Sequence, residues 1–314
     1  MTWRLALLGA LLLPSACGPA AASAQDSAHP AAAPAPELSF TQEFVDNTCA
    51  DALAALARDP GIKLLKPVPA VLLTADQALA RRRAFASGLT EDAGVTKGMD
   101  LLADFVFSDT MLGRYLPDEK VLYVLDDVLR RYAPDRRSAH DLLFAVVAHE
   151  LVHAHDDQVY AVFPDLGALM ERFANGDSSE LPELQVRMSL LEGHATWASE
   201  LACRAAGVRP LPAPTMEDVK NVEAFDGHGN PFLEGLAAAG NAVARLKTVQ
   251  YVQGREFCRR AMDFGGEPFM KEVFAHLPLS DAELADFNVF KVRWAEEKEA
   301  ELEAQPEAPA APGS

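Results

Sequence analysis

Apolar residues recur every three to four positions over most of the chain, and this spacing predicts helices rather than strands. The predicted helices are residues 38–58, 75–87, 96–107, 138–160, 183–206, 231–249, 251–263, 267–276 and 281–303. Residues 121–125 are instead rich in β-branched and aromatic side chains, and residues 110–116 precede them as a hairpin partner. The pattern therefore predicts an α+β, mainly helical fold in a domain over residues 38–304.

The first 24 residues are typical of a secretion signal. Arg4 is followed by nine apolar residues, 5–13, which are too few to span a bilayer. Cys17 follows small residues and favours lipid attachment in a lipoprotein, whereas Ala22-Ser23-Ala24 favours cleavage after residue 24. Both alternatives place the mature protein outside the cytoplasm, in a bacterial periplasm, on a membrane or secreted.

Composition delimits the rest of the chain. Residues 25–37 and 305–314 are rich in Ala and Pro, which predicts a linker and a disordered tail. A net charge of −18 disfavours nucleic acids and anionic membrane surfaces as partners. Beyond the leader are Cys49, Cys203 and Cys258, of which one pair could bridge in an oxidising compartment. None of them has metal-binding spacing.

The strongest chemical motif is H-E-x-x-H at residues 149–153, inside a predicted helix. Residues four apart lie on the same helix face, so His149 and His153 can direct two imidazoles at one zinc ion. Glu150 lies beside that face, where it can take a proton from a zinc-activated water as the water attacks a carbonyl. A Ser138/Asp141 capping box is predicted to start this helix.

A catalytic zinc site needs a third protein ligand, and Glu192 is our prediction for it. Glu192 is a charged residue in the most apolar part of a second predicted helix, and His194 is its competitor. Gly193 is unfavourable inside a helix, which indicates a close approach, and we expect that Gly193 and Ala195 let Glu192 pack against the metal helix.

The residues just after the motif have secondary roles. His155 lies about 200° around the helix from His153, so we expect it at the solvated or outer edge of the core and not on the same ion. Asp157, four residues after His153, either accepts the outer N–H of that imidazole or is a solvated helix end. The sequence leaves these alternatives open.

These segments resemble a bacterial family of gluzincin-like zinc metallopeptidases, whose metal helix reads HELTHALQDQ and whose third ligand lies in E-G-x-A-T. The corresponding segments here are residues 149–158 and 192–196. Weaker similarities are G-x-Y-x-P at 113–117, Y-x-x-G-x-x-F at 251–257 and G-G at 265–266. The resemblance spans roughly residues 105–285.

The resemblance implies a zincin-like domain with a small sheet beside the metal helix. It also implies zinc bound by His149, His153 and Glu192, with Glu150 as general base. Three positions depart from the family pattern: His155 and Asp156 replace Leu and Gln, and His194 replaces a residue that is often acidic. None of these changes removes an expected ligand or the base.

The leading hypothesis is an extracytoplasmic zinc metallopeptidase that acts on peptides or proteins. Its oxyanion-stabilising residue is expected among Tyr115, Tyr251 and His228, and a substrate could add to the edge of the small sheet as an extra strand. The alternative is a non-catalytic envelope lipoprotein with a zinc-binding or vestigial site that binds a partner. A zinc hydrolase of a non-peptide substrate is a third hypothesis.

Overall fold

The computed structural model describes residues 39–74, 76–77, 80–81, 112–174, 179, 181–211 and 231–304. Within these ranges the strands are β1 (Ala70–Leu73), β2 (Gly113–Leu116) and β3 (Val121–Leu125). The helices are α1 (Gln42–Arg58), α2 (Asp126–Tyr132), α3 (Arg136–Tyr160), α4 (Val162–Ala174), α5 (Leu181–Ala206), α6 (Pro231–Ala275), α7 (Asp281–Ala285) and α8 (Phe287–Glu303). The predicted class, α+β and mainly helical, is confirmed.

Several predictions fall outside the described residues. They are the leader over 1–24, the linker over 25–37, the tail over 305–314, the helix over 96–107, most of the helix over 75–87, and His228. Among the helices that are described, none combines the length and the apolar composition needed to cross a membrane.

The three strands form one sheet in the order β1-β3-β2. β3 pairs in parallel with β1, with Ala70 opposite Leu122, and antiparallel with β2, with Gly113 opposite Val124. β3 is the central strand, and its residues after Val121 are all buried, so both faces of the sheet are covered along β3. β1 was not predicted, because four residues are too few for a period-two pattern to be recognised.

Helix α3 carries the H-E-x-x-H motif through the centre of the molecule. It begins at Arg136, where the Asp135 carboxylate caps it by accepting a hydrogen bond of 2.8 Å from the Ser138 backbone N–H. The predicted capping box at Ser138 is therefore wrong: Asp135 is an equally good cap, and nothing between it and Ser138 prevents helix formation. The helix ends at Ala161, whose φ of 53° is left-handed.

α3 is buried because other elements cover most of its circumference. α1, α5 and β2 pack against it, and Leu143 and Val147 on one side of the helix and Val152 on the opposite side are all 0% exposed. α5 in turn lies between α3 and α6. The candidate site therefore lies between two adjacent buried helices, α3 and α5, both of which carry charged residues.

The C-terminal helices differ in extent from the prediction. A helix end was predicted near residue 250, but α6 continues through this position. Residues 241–253 contain no Gly or Pro that would end it. The predicted break before residue 267 is present: Gly266 has φ 65° and ψ −157°, outside the helical region. The predicted helix over 281–303 is two helices, separated at Asp286, whose side chain caps α8. Helices α2 and α4 were not predicted.

The three cysteines in the described region, Cys49, Cys203 and Cys258, are buried free thiols. The disulfide considered from the sequence is therefore not formed. Burial raises the pKa of the thiols of Cys49 and Cys203 to about 12, so both remain protonated at neutral pH.

Candidate metal centre

The fold brings together the three residues predicted as metal ligands. His149 and His153 extend from α3 toward α5, and Glu192 extends from α5 toward them. His149 Nε2 lies 3.3 Å and His153 Nε2 lies 3.8 Å from the same carboxylate oxygen, Glu192 Oε2. All three side chains are buried, with exposures of 8%, 7% and 4%.

These separations fit a divalent metal ion. Donor atoms at tetrahedral positions 2.0–2.2 Å from zinc lie roughly 3.3–3.6 Å from one another. The separation of 3.3 Å lies within this range, and that of 3.8 Å lies just beyond it. The donor set, two imidazole nitrogens and one carboxylate oxygen, also matches a catalytic zinc site that leaves a fourth position for water. His194, the competing ligand on α5, is directed elsewhere, because its Nδ1 lies 2.9 Å from Asp156 Oδ1.

The state of His153 also suits metal binding. Burial, together with the neighbouring His149, lowers the pKa of His153 to about 4. The imidazole is therefore neutral at pH 7, with a lone pair available to a metal. Among the described residues, its outer nitrogen Nδ1 has no hydrogen-bond partner.

Asp157 therefore does not hold His153, and both alternatives considered for it from the sequence are wrong. It is 8% exposed, and its Oδ2 accepts hydrogen bonds from Tyr115 Oη at 2.6 Å and Lys120 Nζ at 2.5 Å. Both donors come from the β2–β3 hairpin. Asp157 thus ties the hairpin to the metal helix one turn after His153.

The same hairpin holds Glu150. The backbone N–H of Tyr115 donates a hydrogen bond of 2.8 Å to Glu150 Oε2. Gly113, two residues earlier, allows the close approach of strand and helix, because a Cβ there would lie 2.9 Å from Val146 Cγ1. The outward N–H of Tyr115 at the sheet edge is thus occupied, so a substrate strand would have to displace Glu150 to use it.

Glu150 is buried next to a second carboxylate, and its protonation state reflects this. Burial raises the pKa of Glu150 to about 7, against the opposing effects of His149 and the Tyr115 N–H. The side chain therefore exchanges a proton near neutral pH, as a general base or acid must.

A contact between glycines fixes α5 against α6. A Cβ on Gly193 would lie 2.1 Å from the carbonyl carbon of Gly254, and one on Gly254 would lie 1.9 Å from the Ser189 oxygen. The predicted close approach at Gly193 is thus present, but its partner is α6 and not the metal helix. One turn before Gly254, Tyr251 Oη donates a hydrogen bond of 2.7 Å to Glu192 Oε2.

A second buried cluster lies one turn further along α3. His155 and Asp156 are 0% exposed and His194 is 1% exposed, so the predicted position of His155 at a solvated edge is wrong. Asp156 Oδ1 lies 3.1 Å from His155 Nδ1 and 2.9 Å from His194 Nδ1, and the other His155 nitrogen lies 3.3 Å from Glu267 Oε1. The three positions that depart from the family pattern thus contact one another.

Sequence reasoning missed Arg114, which lies between Gly113 and Tyr115 on β2. Arg114 is partly buried and lies close to Glu150 and Glu192, and its buried Nη1 has no hydrogen-bond partner among the described residues. A charged residue in a short strand next to the metal helix was the available signal.

The comparisons with known proteins support the fold. A crystal structure from Chloroflexus aurantiacus, described as that of a candidate hydrolase with a novel fold, aligns with a TM-score of 0.52. The alignment covers 95% of this chain and 98% of that chain at 20% sequence identity. Neither models of known families nor curated proteins match the sequence. Membership of the gluzincin-like family therefore stays a prediction made from the motifs.

Proposed function

We propose that the protein is a zinc-dependent metallopeptidase that acts outside the cytoplasm. The observation that carries the proposal is the convergence of His149 Nε2, His153 Nε2 and Glu192 Oε2, next to the buried carboxylate of Glu150. A zinc ion held by these three donors would polarise the scissile carbonyl and lower the pKa of a bound water.

The chain's own residues supply the proton transfers and the orientation. Glu150 takes a proton from the attacking water and returns it to the leaving amine, and the Tyr115 N–H keeps its carboxylate in place. Tyr251 is the better placed of the described oxyanion candidates, because its hydroxyl already reaches the Glu192 carboxylate. The Tyr115 hydroxyl is engaged by Asp157 instead.

The test is the turnover of a mixed peptide library by zinc-loaded protein, with Glu150→Gln as the variant. Losing a general base costs roughly 10²–10⁴-fold in rate, so the variant should lose turnover at least 100-fold while its zinc content stays the same. Glu183→Gln, an exposed change on α5, is the matched control and should keep full turnover.

Two results would contradict the proposal. If neither protein turns over any peptide while both bind zinc, the non-catalytic envelope protein is the better description. If the wild-type protein takes up no zinc, the site is not a metal centre. The N-terminal residue of the mature protein tests its location, because a lipidated Cys17 or a free Gln25 indicates export.

A further inference from the structure

The guanidinium of Arg114 lies close to the carboxylates of Glu150 and Glu192, but its Nη1 forms a hydrogen bond with neither. Its Nη1 is buried and has no hydrogen-bond partner among the described residues. Burial lowers the pKa of Arg114, whereas the nearby Glu150 and Glu192 raise it, although neither carboxylate forms a hydrogen bond with Nη1. A buried N–H donor without an acceptor is costly, so Nη1 calls for an acceptor oxygen.

Binding of a divalent metal ion would add positive charge beside Arg114 and so favour an anion as the acceptor of the Nη1 hydrogen bond. Arg114 and a divalent ion would contribute three positive charges, against at most two negative charges from Glu150 and Glu192. The occupied site would therefore carry at least one positive charge in excess. Glu192 would then be a metal ligand, and Glu150 accepts a hydrogen bond from the Tyr115 N–H. Neither carboxylate therefore serves as the hydrogen-bond partner of Arg114 Nη1.

We infer that Arg114 binds a carboxylate of the peptide substrate beside the metal centre and so sets a preference for acidic substrates. This inference rests on the proposed function and adds the substrate class. A guanidinium binds a carboxylate through two parallel N–H···O bonds, which lysine cannot reproduce. The carboxylate can be the C-terminus of the peptide or an Asp or Glu side chain.

The experiment uses three forms of one N-acetylated hexapeptide library built from Ala, Leu and Phe. The first form ends in an amide, the second ends in a free carboxylate, and the third is the amide with one residue replaced by Glu at each position in turn. A hydrogen bond to a charged group contributes roughly 10- to 100-fold, so the wild-type protein should cleave one charged form at least 10-fold faster than the neutral amide. Preference for the second form indicates the C-terminus, and preference for the third indicates a side chain.

The variants are Arg114→Gln and Arg114→Lys. Arg114→Gln should abolish the preference, measured as the ratio of the cleavage rate of the charged form to that of the neutral amide, whereas Arg114→Lys should retain part of this ratio. Arg204→Gln, an exposed change on α5, is the control and should keep the full preference. Thermal unfolding of each variant tests whether it is folded. If Arg114→Gln does not fold, the comparison of the wild type with Arg114→Lys is used instead.

Binding separates failure of this inference from failure of the proposed function. Fluorescein-labelled peptides of the three forms are titrated into zinc-loaded Glu150→Gln protein, with and without Arg114→Gln, and anisotropy is measured. If the wild-type protein shows no turnover but the charged form still binds at least 10-fold more tightly through Arg114, only the peptidase proposal fails. Equal cleavage and equal binding of charged and neutral forms, or a preference that survives Arg114→Gln, would overturn the inference.

Discussion

Helices α3 and α5 carry two buried clusters with the same chemical groups and different properties. One consists of His149, His153 and Glu192, and the other of His155, Asp156 and His194. Each has two imidazoles and one carboxylate from the same pair of helices, and each is almost fully buried. Composition and burial therefore do not distinguish them.

The two clusters differ in how many of their imidazole nitrogens and carboxylate oxygens form hydrogen bonds within the protein. In the second cluster, Asp156 Oδ1 lies within 3.1 Å of both imidazoles, and both nitrogens of His155 lie next to carboxylate oxygens. Burial alone would lower the pKa of His155, but its hydrogen bond to Asp156 and the charges of Asp156 and Glu267 raise it. This cluster is a hydrogen-bonded ion network.

In the first cluster the corresponding distances are 3.3 and 3.8 Å, and the second, from His153 Nε2 to Glu192 Oε2, is too long for a hydrogen bond. His153 has a pKa of about 4 and an unpaired Nδ1 among the described residues. A metal ion would bind the Nε2 atoms of His149 and His153, the second of which forms no hydrogen bond with Glu192. The comparison shows that unsatisfied donors, rather than clustered histidines, identify a candidate metal site.

The largest effect should separate the two clusters by zinc content. His153→Ala removes a ligand, so zinc affinity should fall by more than the roughly 10- to 100-fold that loss of an outer partner causes. His155→Gln, two residues away, should keep one zinc ion per chain. The zinc content of each variant is measured after dialysis against a weak chelator. If both variants lose zinc to the same extent, the two clusters do not differ in metal binding.

The next effect concerns stability. Burial would raise the pKa of Asp156, but His194 and His155 lower it, so the carboxylate is charged in the folded protein. Asp156→Asn removes the negative charge that the two imidazoles share, and breaking a buried ion pair costs about 3–5 kcal/mol. Urea denaturation should show this loss while zinc content is unchanged. If the free energy of unfolding falls by less than about 1 kcal/mol, or if the variant no longer binds zinc, Asp156 is not the centre of a separate hydrogen-bonded network.

A third effect appears in the pH dependence of metal-free protein. The pKa of Glu150 is about 7 when folded and 4.5 ordinarily, so its contribution to stability is present below pH 4.5 and lost as pH rises to 7. The pKa of His153 is about 4 against 6.5, so its contribution is present above pH 6.5 and lost as pH falls toward 4. Between pH 4.5 and 6.5 the two slopes oppose each other.

Glu150→Gln removes one of these slopes. Relative to the wild type, the free energy of unfolding of the variant should rise by about 1.4 kcal/mol per pH unit, or about 3 kcal/mol in total, between pH 4.5 and 7. Urea denaturation in the presence of EDTA at several pH values measures this difference. Parallel pH profiles would show that Glu150 is not buried next to the metal ligands.

The smallest predicted effect is that of Tyr251→Phe on metal affinity. The variant loses the hydrogen bond from the Tyr251 hydroxyl to Glu192 Oε2, which orients the carboxylate. Outer partners of metal ligands contribute roughly 10- to 100-fold to affinity, so zinc should bind at least about tenfold more weakly. Competition with a chromogenic chelator measures this. Tyr132→Phe, outside the site, should have no effect.

The sequence predicted the parts of the site that follow from helical periodicity. The spacing of His149 and His153 and the isolated charge of Glu192 were sufficient to select the three residues that the fold brings together. The mainly helical class followed from the same periodicity.

The remaining parts depend on contacts between distant segments. The partners of Asp157 lie on a hairpin more than 35 residues earlier, and local spacing gives no indication of them. The same applies to the contact of Gly193 with Gly254, and to the contact of His155 with Glu267 in α6. Helix periodicity assigns a residue to a face but not to the element that covers that face.

Anomalous diffraction at the zinc edge from zinc-soaked crystals tests the central claim most directly. We predict one strong peak in the chain, about 2.0–2.1 Å from the Nε2 atoms of His149 and His153 and about 2.0–2.2 Å from a Glu192 oxygen. A peak between His155, Asp156 and His194, or no peak at either cluster, would contradict the account.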